Sequence, residues 1–391
     1  MTEWIECTLD KLGEIVGGAT PSTKCEDYYG GSIPWITPKD LSSFKGRYIT
    51  SGERNITEKG LASCSAQMMP KDAVLFTSRA PIGYVAIASQ SVCTNQGFKS
   101  IVVNEKADPL FVYYLLKYNK DAIEAMGSGT TFKEVSGKTM RAVKVRIPLD
   151  VSYQKRIAAV LDSLDTKIEN NERINDNLQQ QALSVFRKAF INIKGLPSSW
   201  TKGCLLDIAD YLNGLAMQKF RPSENEIGIP VLKIKELRQG SCDASSELCS
   251  PSIKTEYIIH DGDVVFSWSG SLLVDIWCGG TCGLNQHLFK VTSKTYDKWF
   301  YYLWTAHHLE RFIAIAADKA TTMGHIKREE LSKAEVVIPS QNDYEKIGAV
   351  LQPMIDLIIA NRIESKKLAT LRDELLPKLM SGEIDMSEVE I

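Results

Sequence analysis

The chain contains the same passage twice. Residues 130–148 read TTFKEVSGKTMRAVKVRIP, and residues 321–339 read TTMGHIKREELSKAEVVIP. Earlier segments repeat in the same order, because IPWITPKDL from Ile33 matches IPVLKIKEL from Ile229. The period is far longer than the roughly 20 to 50 residues of a solenoid unit, so each copy is a domain in its own right. Two copies in one chain predict a molecule with an internal pseudo-two-fold repeat.

The first part of each copy mixes strand and helix patterns. Short β-rich runs such as AVLFTS and AVKVRIP alternate with an apolar helical stretch, PLFVYYLLKYNKDAIEAM, whose counterpart in the second copy is KWFYYLWTAHHLERFIAIAA. This pattern predicts an α/β (α+β) globular domain in each copy.

The second part of each copy is a long helical pattern. Apolar residues recur with a seven-residue period from Ile157 and again from Ile347, and each ladder carries an asparagine at the same step, Asn171 and Asn361. Buried asparagines at matching steps fix the register of a coiled coil, so the two helices are predicted to pair antiparallel. The alternative is that each helix packs only on its own domain. Pro353 indicates that the second helix either begins late or bends.

These patterns divide the chain into four segments. Residues 1–150 form a first globular domain and 151–194 a first spacer helix, followed by a second domain at 195–341 and a second spacer helix with a tail at 342–391. A helix of about 37 residues is roughly 55 Å long. We therefore expect a rigid spacer that holds two domains more than one turn of B-DNA apart.

Charge and apolar patterning limit the possible functions. The 391 residues carry a formal net charge of −2, which argues against indiscriminate nucleic-acid binding but allows a local basic face. The first residues show no signal-peptide pattern, and no run of 18 apolar residues occurs, so we expect a cytoplasmic protein with no membrane partner. The cysteine and histidine spacings match no metal-site motif.

Motifs for catalysis are missing. The sequence has no GxxxxGK[ST] phosphate loop, GxSxG elbow, HExxH pair or methyltransferase loop of the [D/N]PP[Y/F] type. The five histidines all lie in the second copy, so they are not a catalytic feature that both copies share. We therefore expect a non-catalytic chain.

Both copies place hydroxyl, amide and basic side chains next to the ends of predicted strands. Such groups bind phosphates and base edges without covalent chemistry, although capping of turns is the competing interpretation. The predicted DNA-binding residues are Lys39, Arg47, Thr77, Ser78, Arg79, Asn95, Gln96, Thr130, Thr131 and Lys133 in the first copy, and Lys233, Lys235, Arg238, Ser267, Trp268, Ser269, Asn285, Gln286, Thr321, Thr322, His325 and Lys327 in the second. Unlike side chains on a repeated scaffold suit two domains that recognise different sequences.

The ordered set of motifs resembles one known family. IPWITPKDL, PKDAVLFTSRAPIG, CTNQGFKSI, GSGTTFKEVSG and VRIP, followed by a heptad helix, repeated, and closed by LRDELLPKLMSGEI, resemble the DNA-specificity subunit of Type I restriction-modification systems. The resemblance covers essentially the whole chain. It implies two target-recognition domains, each reading one half of a split DNA target, with an antiparallel coiled coil as the ruler between the halves.

The same resemblance implies partners and cofactors. Modification subunits, expected as a pair, would use S-adenosylmethionine to methylate adenine in double-stranded DNA, and restriction subunits that translocate DNA would use ATP and Mg²⁺; this chain itself would bind no cofactor. Two other functions stay open from the residues alone. One is a coiled-coil scaffold that binds proteins and does not read DNA, and the other is a nuclease or methyltransferase fused to a recognition domain.

Overall fold

The chain divides into two compact units. The computed structural model describes residues 3–129, 133–318, 325–387 and 389. Unit 1 consists of residues 1–169 and 368–391, and unit 2 of residues 170–367. Each of two long helices contributes one part to each unit, so a unit is built from a globular region and two helical segments.

Unit 1 contains three sheets. Its strands are β1 (Trp4–Thr8), β2 (Gly13–Gly17), β3 (Tyr29–Ile36), β4 (Tyr48–Ile49), β5 (Asn55–Ile56), β6 (Val74–Ser78), β7 (Ile82–Ala88), β8 (Cys93–Thr94), β9 (Lys99–Val103) and β10 (Lys144–Pro148). The main sheet has the order β2-β9-β6-β7-β4, a second has the order β5-β3-β8, and β1 pairs with β10. The short helices are α1 (Pro38–Ser42), α2 (Glu58–Ala62), α3 (Pro109–Tyr118), α4 (Lys120–Ala125) and α5 (Gly137–Ala142), and the long helix α6 (Val151–Phe186) follows.

Unit 2 repeats this topology. Its strands are β11 (Thr201–Cys204), β12 (Asp210–Asn213), β13 (Ile229–Leu232), β14 (Leu248–Cys249), β15 (Ile258–Ile259), β16 (Val264–Ser267), β17 (Leu273–Ile276), β18 (Cys282–Leu284), β19 (Leu288–Thr292) and β20 (Glu335–Ile338). The main sheet β12-β19-β16-β17 corresponds to β2-β9-β6-β7, β14-β13-β18-β15 to the second sheet, and β11-β20 to β1-β10. The helices are α7 (Leu205–Ile208), α8 (Ile234–Gln239), α9 (Lys298–His307), α10 (Leu309–Asp318), α11 (Glu329–Ser332) and the long α12 (Gln341–Ser381). The predicted duplicated α/β fold is confirmed.

The predicted apolar helix of each copy is split in two. In unit 1, α3 ends at Asn119, whose side-chain amide donates to Leu115 O at 2.8 Å and so competes with the continuing helix. In unit 2, α9 ends at His308, whose Nε2 lies 2.9 Å from Glu335 O. A polar residue therefore follows the last residue of the helix at the same step in both units.

The long helices run antiparallel within each unit. In unit 1, Arg372 of α12 contacts Asp165 of α6 at 2.6 Å. In unit 2, Asn171 of α6 donates to Glu364 of α12 at 2.7 Å, and Asn361 donates to Asn175 at 2.9 Å. The predicted antiparallel coiled coil is thus confirmed, and the alternative of helices that pack only on their own domains is excluded.

Pro353 does not mark the start of the second helix. Helix α12 begins at Gln341 and continues through Pro353, so a late start is excluded. Leu351 and Ile355 on either side are buried in the core of unit 2, and this burial offsets the hydrogen bond that proline cannot donate.

Candidate nucleic-acid interface

Four chain segments meet at one edge of unit 1. The backbone N–H of Ser78 donates to Gly97 O at 2.7 Å, and Val135 N donates to Ser78 O at 3.0 Å. The backbone of Gly18 approaches so closely that a Cβ there would lie 2.1 Å from Asn95 O, which only glycine permits. We call these segments surface 1, which comprises residues 18–20, 78–80, 95–97 and 133–135.

Unit 2 forms the same arrangement from matching positions. Trp268 N donates to His287 O at 3.4 Å, and Ile326 N donates to Trp268 O at 3.1 Å. A Cβ on Gly214 would lie 2.2 Å from Asn285 O, as for Gly18 in unit 1. We call these segments surface 2, which comprises residues 213–215, 268–270, 285–287 and 325–327.

The turn within each surface uses a left-handed backbone. Ala80 has a φ of 50°, and its counterpart Gly270 has a φ of 65°. A residue with a Cβ is rarely found in this region, and such conformations cluster at binding and catalytic sites. The surrounding hydrogen bonds therefore hold Ala80 in a backbone that glycine adopts freely in the second copy.

A short helix flanks each surface. Helix α1 is capped by Asp40, whose Oδ2 accepts from Thr37 N at 2.7 Å, and α8 is capped by Glu236, which accepts from Lys233 N at 3.2 Å. The repeated acidic cap places Lys39 and Lys235 on exposed helical turns beside the loops. Arg238, one turn further on in α8, is also exposed.

The side chains of surface 1 are basic and amide groups. Arg79 is about one-third exposed, 35%, with its guanidinium 3.6 Å from Glu134 Oε2. Lys133 and Gln96 are exposed, and the Gln96 carbonyl accepts from the Thr20 hydroxyl. An exposed ion pair contributes little to stability, so Arg79 can exchange Glu134 for a phosphate at low cost.

The side chains of surface 2 are aromatic and imidazole groups. Trp268 donates from Nε1 to Asn213 Oδ1 at 2.9 Å, and its ring centroid lies 6.1 Å from that of His287 and 6.3 Å from that of His325. Ser269 Oγ lies 2.9 Å from His287 Nδ1. The same backbone arrangement therefore carries different side-chain groups in surface 1 and surface 2.

Some predicted residues hold the loops together from inside. Thr77, Ser78 and Ser267 are fully buried. Thr77 Oγ1 donates to Pro81 O at 2.8 Å and accepts from Tyr84 N, while Ser78 Oγ donates to Gly97 O and Ser267 Oγ to Ser269 O. Their hydroxyls are thus used in closing the loops, which is the competing interpretation of these residues.

The two predicted asparagines also cap turns. Asn95 Oδ1 accepts from Gly97 N at 2.9 Å, and Asn285 Oδ1 accepts from His287 N at 3.3 Å. Gln286, which follows Asn285, is partly exposed. The turn fixes the direction of the residue that follows each asparagine.

Arg47 is buried and is not accessible to DNA, unlike the other predicted lysines and arginines. Its side chain is 6% exposed, and it contacts Asp162 and Glu169 of α6 at 3.3 Å each. Burial by itself would lower the pKa of Arg47, but the two carboxylates outweigh it and raise the pKa. Arg47 fastens the globular region of unit 1 to α6, and we remove it from the proposed DNA contacts.

The remaining predicted residues are exposed or outside the described chain. Lys39 pairs with Glu53 at 2.6 Å and Lys233 with Glu247 at 2.5 Å, both near the surface, and Lys327 is exposed. Thr130, Thr131, Thr321 and Thr322 lie outside the described residues.

One segment of each surface was missed by sequence reasoning. Residues 18–20 and 213–215 were not predicted as part of the site, although Gly18 and Gly214 hold matching places in the two copies. The presence of glycine at the same position of both copies could have predicted these segments, because such a glycine indicates a close approach between two backbone segments.

Within the ranges given above, no group of three His, Cys, Asp or Glu side chains could hold a metal ion. No helix in the described part of the chain is long and apolar enough to cross a bilayer.

The fold and the two surfaces define a duplicated recognition protein, in which one α/β frame carries two different sets of polar side chains. The chain matches the family described as Type I restriction modification DNA specificity domain over residues 1–180 and 197–371. The chain therefore belongs to this family: it is a specificity subunit with two DNA-recognition domains, and it is a non-catalytic component.

Relatives cover nearly the whole chain. The Type I restriction enzyme MjaIX specificity subunit of Methanocaldococcus jannaschii is 33% identical over 414 residues, covering 99% of this chain and 95% of the relative. The MjaVIII specificity subunit of the same organism is 19% identical over 408 residues, covering 98% and 93%. The crystal structure of the S subunit of the Type I restriction-modification system from M. genitalium has a TM-score of 0.63 at 15% identity, covering 97% and 96%, and supports the fold.

Proposed function

We propose that surface 1 reads one half of a split duplex target and surface 2 reads the other half. The observation that carries this proposal is the repeated frame with unlike side chains. The same backbone hydrogen bonds hold Ser78 and Trp268 at equivalent places, yet one loop presents Arg79 and the other presents Trp268 between two imidazoles. Two equal frames with different contact groups suit two different half-sequences.

The chemistry of surface 1 divides into positioning and reading groups. Arg79 and Lys133 supply cations for phosphates, which fix register without carrying sequence information. Gln96 is an exposed amide, and amides pair with adenine edges in the major groove. Lys39 on the flanking helix extends the basic region.

Surface 2 combines cations with aromatic and imidazole rings. Trp268, His287 and His325 offer apolar ring faces and imidazole nitrogens, while Lys327, Lys235 and Arg238 supply the cations. Apolar contact with the thymine methyl group and hydrogen bonds to base edges are the ways such side chains discriminate bases.

We further propose that α6 and α12 set the gap between the half-sites and that their outer faces bind partner subunits. Two modification subunits would supply S-adenosylmethionine-dependent methylation of adenine, and restriction subunits would supply ATP- and Mg²⁺-dependent translocation, in the cytoplasm. What supports these assignments is membership of the family. A scaffold that binds proteins alone is not favoured, because both copies keep a polar loop surface.

Selection from a randomised duplex library tests the proposal. The full chain, assembled with its modification subunits, is presented with duplexes in which both halves are random. We expect Gln96→Ala to alter the selected bases in one half only, and Trp268→Ala to alter the other half only. A substitution that changes both halves, or neither, contradicts the assignment of one half to each surface.

A further inference from the structure

Unit 2 contains a cavity at a place that unit 1 fills. The cavity has a volume of about 360 Å³ and lies between the C-terminal part of α6, helix α9, strand β17 and helix α12. Its walls are mainly apolar and include Ala182, Phe186, Leu303, Ala306, Ile355 and Ile358. All of these residues belong to unit 2.

The equivalent place in unit 1 is occupied by a polar cluster. Arg372 donates from Nη1 to Asp165 Oδ1 at 2.6 Å, and the Tyr114 hydroxyl donates to Asp165 Oδ2 at 2.8 Å. The asparagines Asn171 and Asn361 align the long helices of the two copies, and this alignment matches Arg372 with Ala182 and Asp165 with Ile355.

The same alignment explains why the cavity is open. The two ten-residue helices α3 and α9 correspond, which matches Tyr114 with Leu303 and Lys117 with Ala306. An arginine, a tyrosine and a lysine are thus replaced by an alanine, a leucine and an alanine on the same frame. Protein interiors contain few voids larger than a water molecule, and this volume falls within the roughly 300–1,000 Å³ of ligand pockets.

Two ionic side chains at the mouth of the cavity have no ionic partner within the described residues. Arg187 and Glu310 are both exposed cavity-lining residues. Arg362, which also lines the cavity, is already bound to Asp275 Oδ1 at 2.8 Å and to Ile276 O at 2.9 Å. Of the two arginines that line the cavity, Arg187 is therefore the one whose guanidinium can bind a ligand. A guanidinium binds a carboxylate through two parallel hydrogen bonds.

We propose that this cavity binds a small amphipathic carboxylate, with its apolar body between α9 and α12 and its carboxylate on Arg187. The site is separate from both DNA-reading surfaces, and Arg372, Asp165 and Tyr114 occupy the equivalent place in unit 1. The ligand binds the folded unit, so it stabilises unit 2 against unfolding by mass action.

Titration calorimetry of the full chain tests the inference with three ligands that share one apolar chain and differ in their head group. Decanoate, decanol and decylamine share the same chain and differ in charge, and each is used below its micelle concentration. We expect one saturable decanoate site, with binding about tenfold weaker for decanol and weaker again for decylamine. Decanoate is also expected to raise the unfolding temperature of unit 2.

Variants locate the site. Ala306→Phe and, as a second filling substitution, Ala182→Leu should abolish decanoate binding while the far-ultraviolet circular dichroism stays unchanged. Ala314→Phe, on the exposed side of α10, is the matched control and should bind as the parent chain does. Arg187→Gln should weaken decanoate about tenfold and leave decanol unchanged, whereas Glu310→Gln should tighten decanoate.

Each outcome decides the inference. Absence of saturable decanoate binding overturns it, as does undiminished binding by both filling variants when their fold is intact. Equal affinity for decanoate and decanol overturns the role of Arg187. DNA binding is measured in parallel. We expect the filling variants to leave it unchanged, because neither variant alters a residue of surface 1 or surface 2.

Discussion

Asn171 donates from Nδ2 to Glu364 Oε2 across 2.7 Å inside the seam between α6 and α12. The same amide also donates to Ser365 Oγ at 3.2 Å, and Asn171 is completely buried. A buried asparagine that binds polar groups of the facing helix favours one alignment of the pair over its neighbours. The register role predicted for Asn171 and Asn361 therefore has specific partners to be tested.

Asn171→Ala should destabilise unit 2. The substitution removes the hydrogen bonds to Glu364 and Ser365 and leaves Glu364 without this donor in the seam, so we expect a loss of about 1–3 kcal/mol. Ile174→Ala, on the exposed side of the same helix, is the control and should stay within about 0.5 kcal/mol. Urea unfolding followed by circular dichroism measures both, and equal midpoints for the two variants would show that the network does not stabilise the seam.

Arg47→Ala should change the stability of unit 1 and not the salt dependence of DNA binding, whereas Lys39→Ala should do the reverse. Loss of Arg47 removes the ion pairs to Asp162 and Glu169 of α6, and we expect unit 1 to lose roughly 2 kcal/mol, because both carboxylates still reach water. Its DNA binding should keep the parent salt dependence. Lys39 pairs only with Glu53 on the surface, so Lys39→Ala should leave unfolding unchanged and flatten the salt dependence.

Thermal unfolding and DNA titrations at several salt concentrations check both variants. A flattened salt dependence for Arg47→Ala with unchanged stability would restore Arg47 to the DNA-binding residues. The reverse result for Lys39→Ala would remove Lys39 from the basic region beside surface 1.

Periodicity in the sequence was sufficient to predict the fold. The two heptad ladders have the spacing of paired helices, and β10 alternates between exposed and buried residues as a strand does. Repetition supplied a second copy of each pattern. The contacts of single side chains were not predictable in the same way. Thr77 and Ser267 lie near the ends of β6 and β16, and only the structure of the loop that follows shows that each hydroxyl bonds inward.

Long-range partners were beyond the reach of sequence patterns. Arg47 meets Asp162 and Glu169 more than 100 positions later in the chain, and no local spacing indicates this pairing. The same holds for Arg372 and Asp165, which are replaced by Ala182 and Ile355 at a cavity where α6, α9, β17 and α12 converge. Sequence reasoning therefore identified accessible loops better than it identified which side chains remain accessible.

Arg79→Ala and Lys133→Ala should each weaken DNA binding and reduce its salt dependence. Each phosphate contact contributes about 0.9 to the slope of log K against log salt, so each variant should lose about that amount. Lys71→Ala is the matched control, because this exposed lysine precedes β6 at the end opposite to Arg79. An unchanged slope for Arg79→Ala, or an equal loss for Lys71→Ala, would contradict contact at surface 1.

Insertion of seven residues into α6 and of seven into α12 should change the gap between the half-sites. A complete heptad keeps the apolar seam and the facing asparagines in phase, so the helices still pair, while each becomes longer by about 10 Å. Mapping of methylated adenines in cells that carry the altered chain measures the result. We expect the old half-sites with a wider gap; new half-sites, or the old gap, would show that the helices do not set the spacing.

His308 makes the stability of unit 2 sensitive to acid. Burial of the ring against Trp304 lowers the pKa of His308 from 6.5 to about 4, and the hydrogen bond of Nε2 with Glu335 O only partly offsets this effect. The unfolded chain binds the proton below pH 6.5 and the folded chain does not until about pH 4. The stabilisation is therefore complete above pH 6.5 and is lost as the pH falls towards 4. His308→Asn places the residue that unit 1 uses at this step, Asn119, and should remove this part of the pH dependence. Urea midpoints between pH 4 and 7 measure the difference, and parallel curves for the parent chain and the variant would show that His308 does not titrate on unfolding.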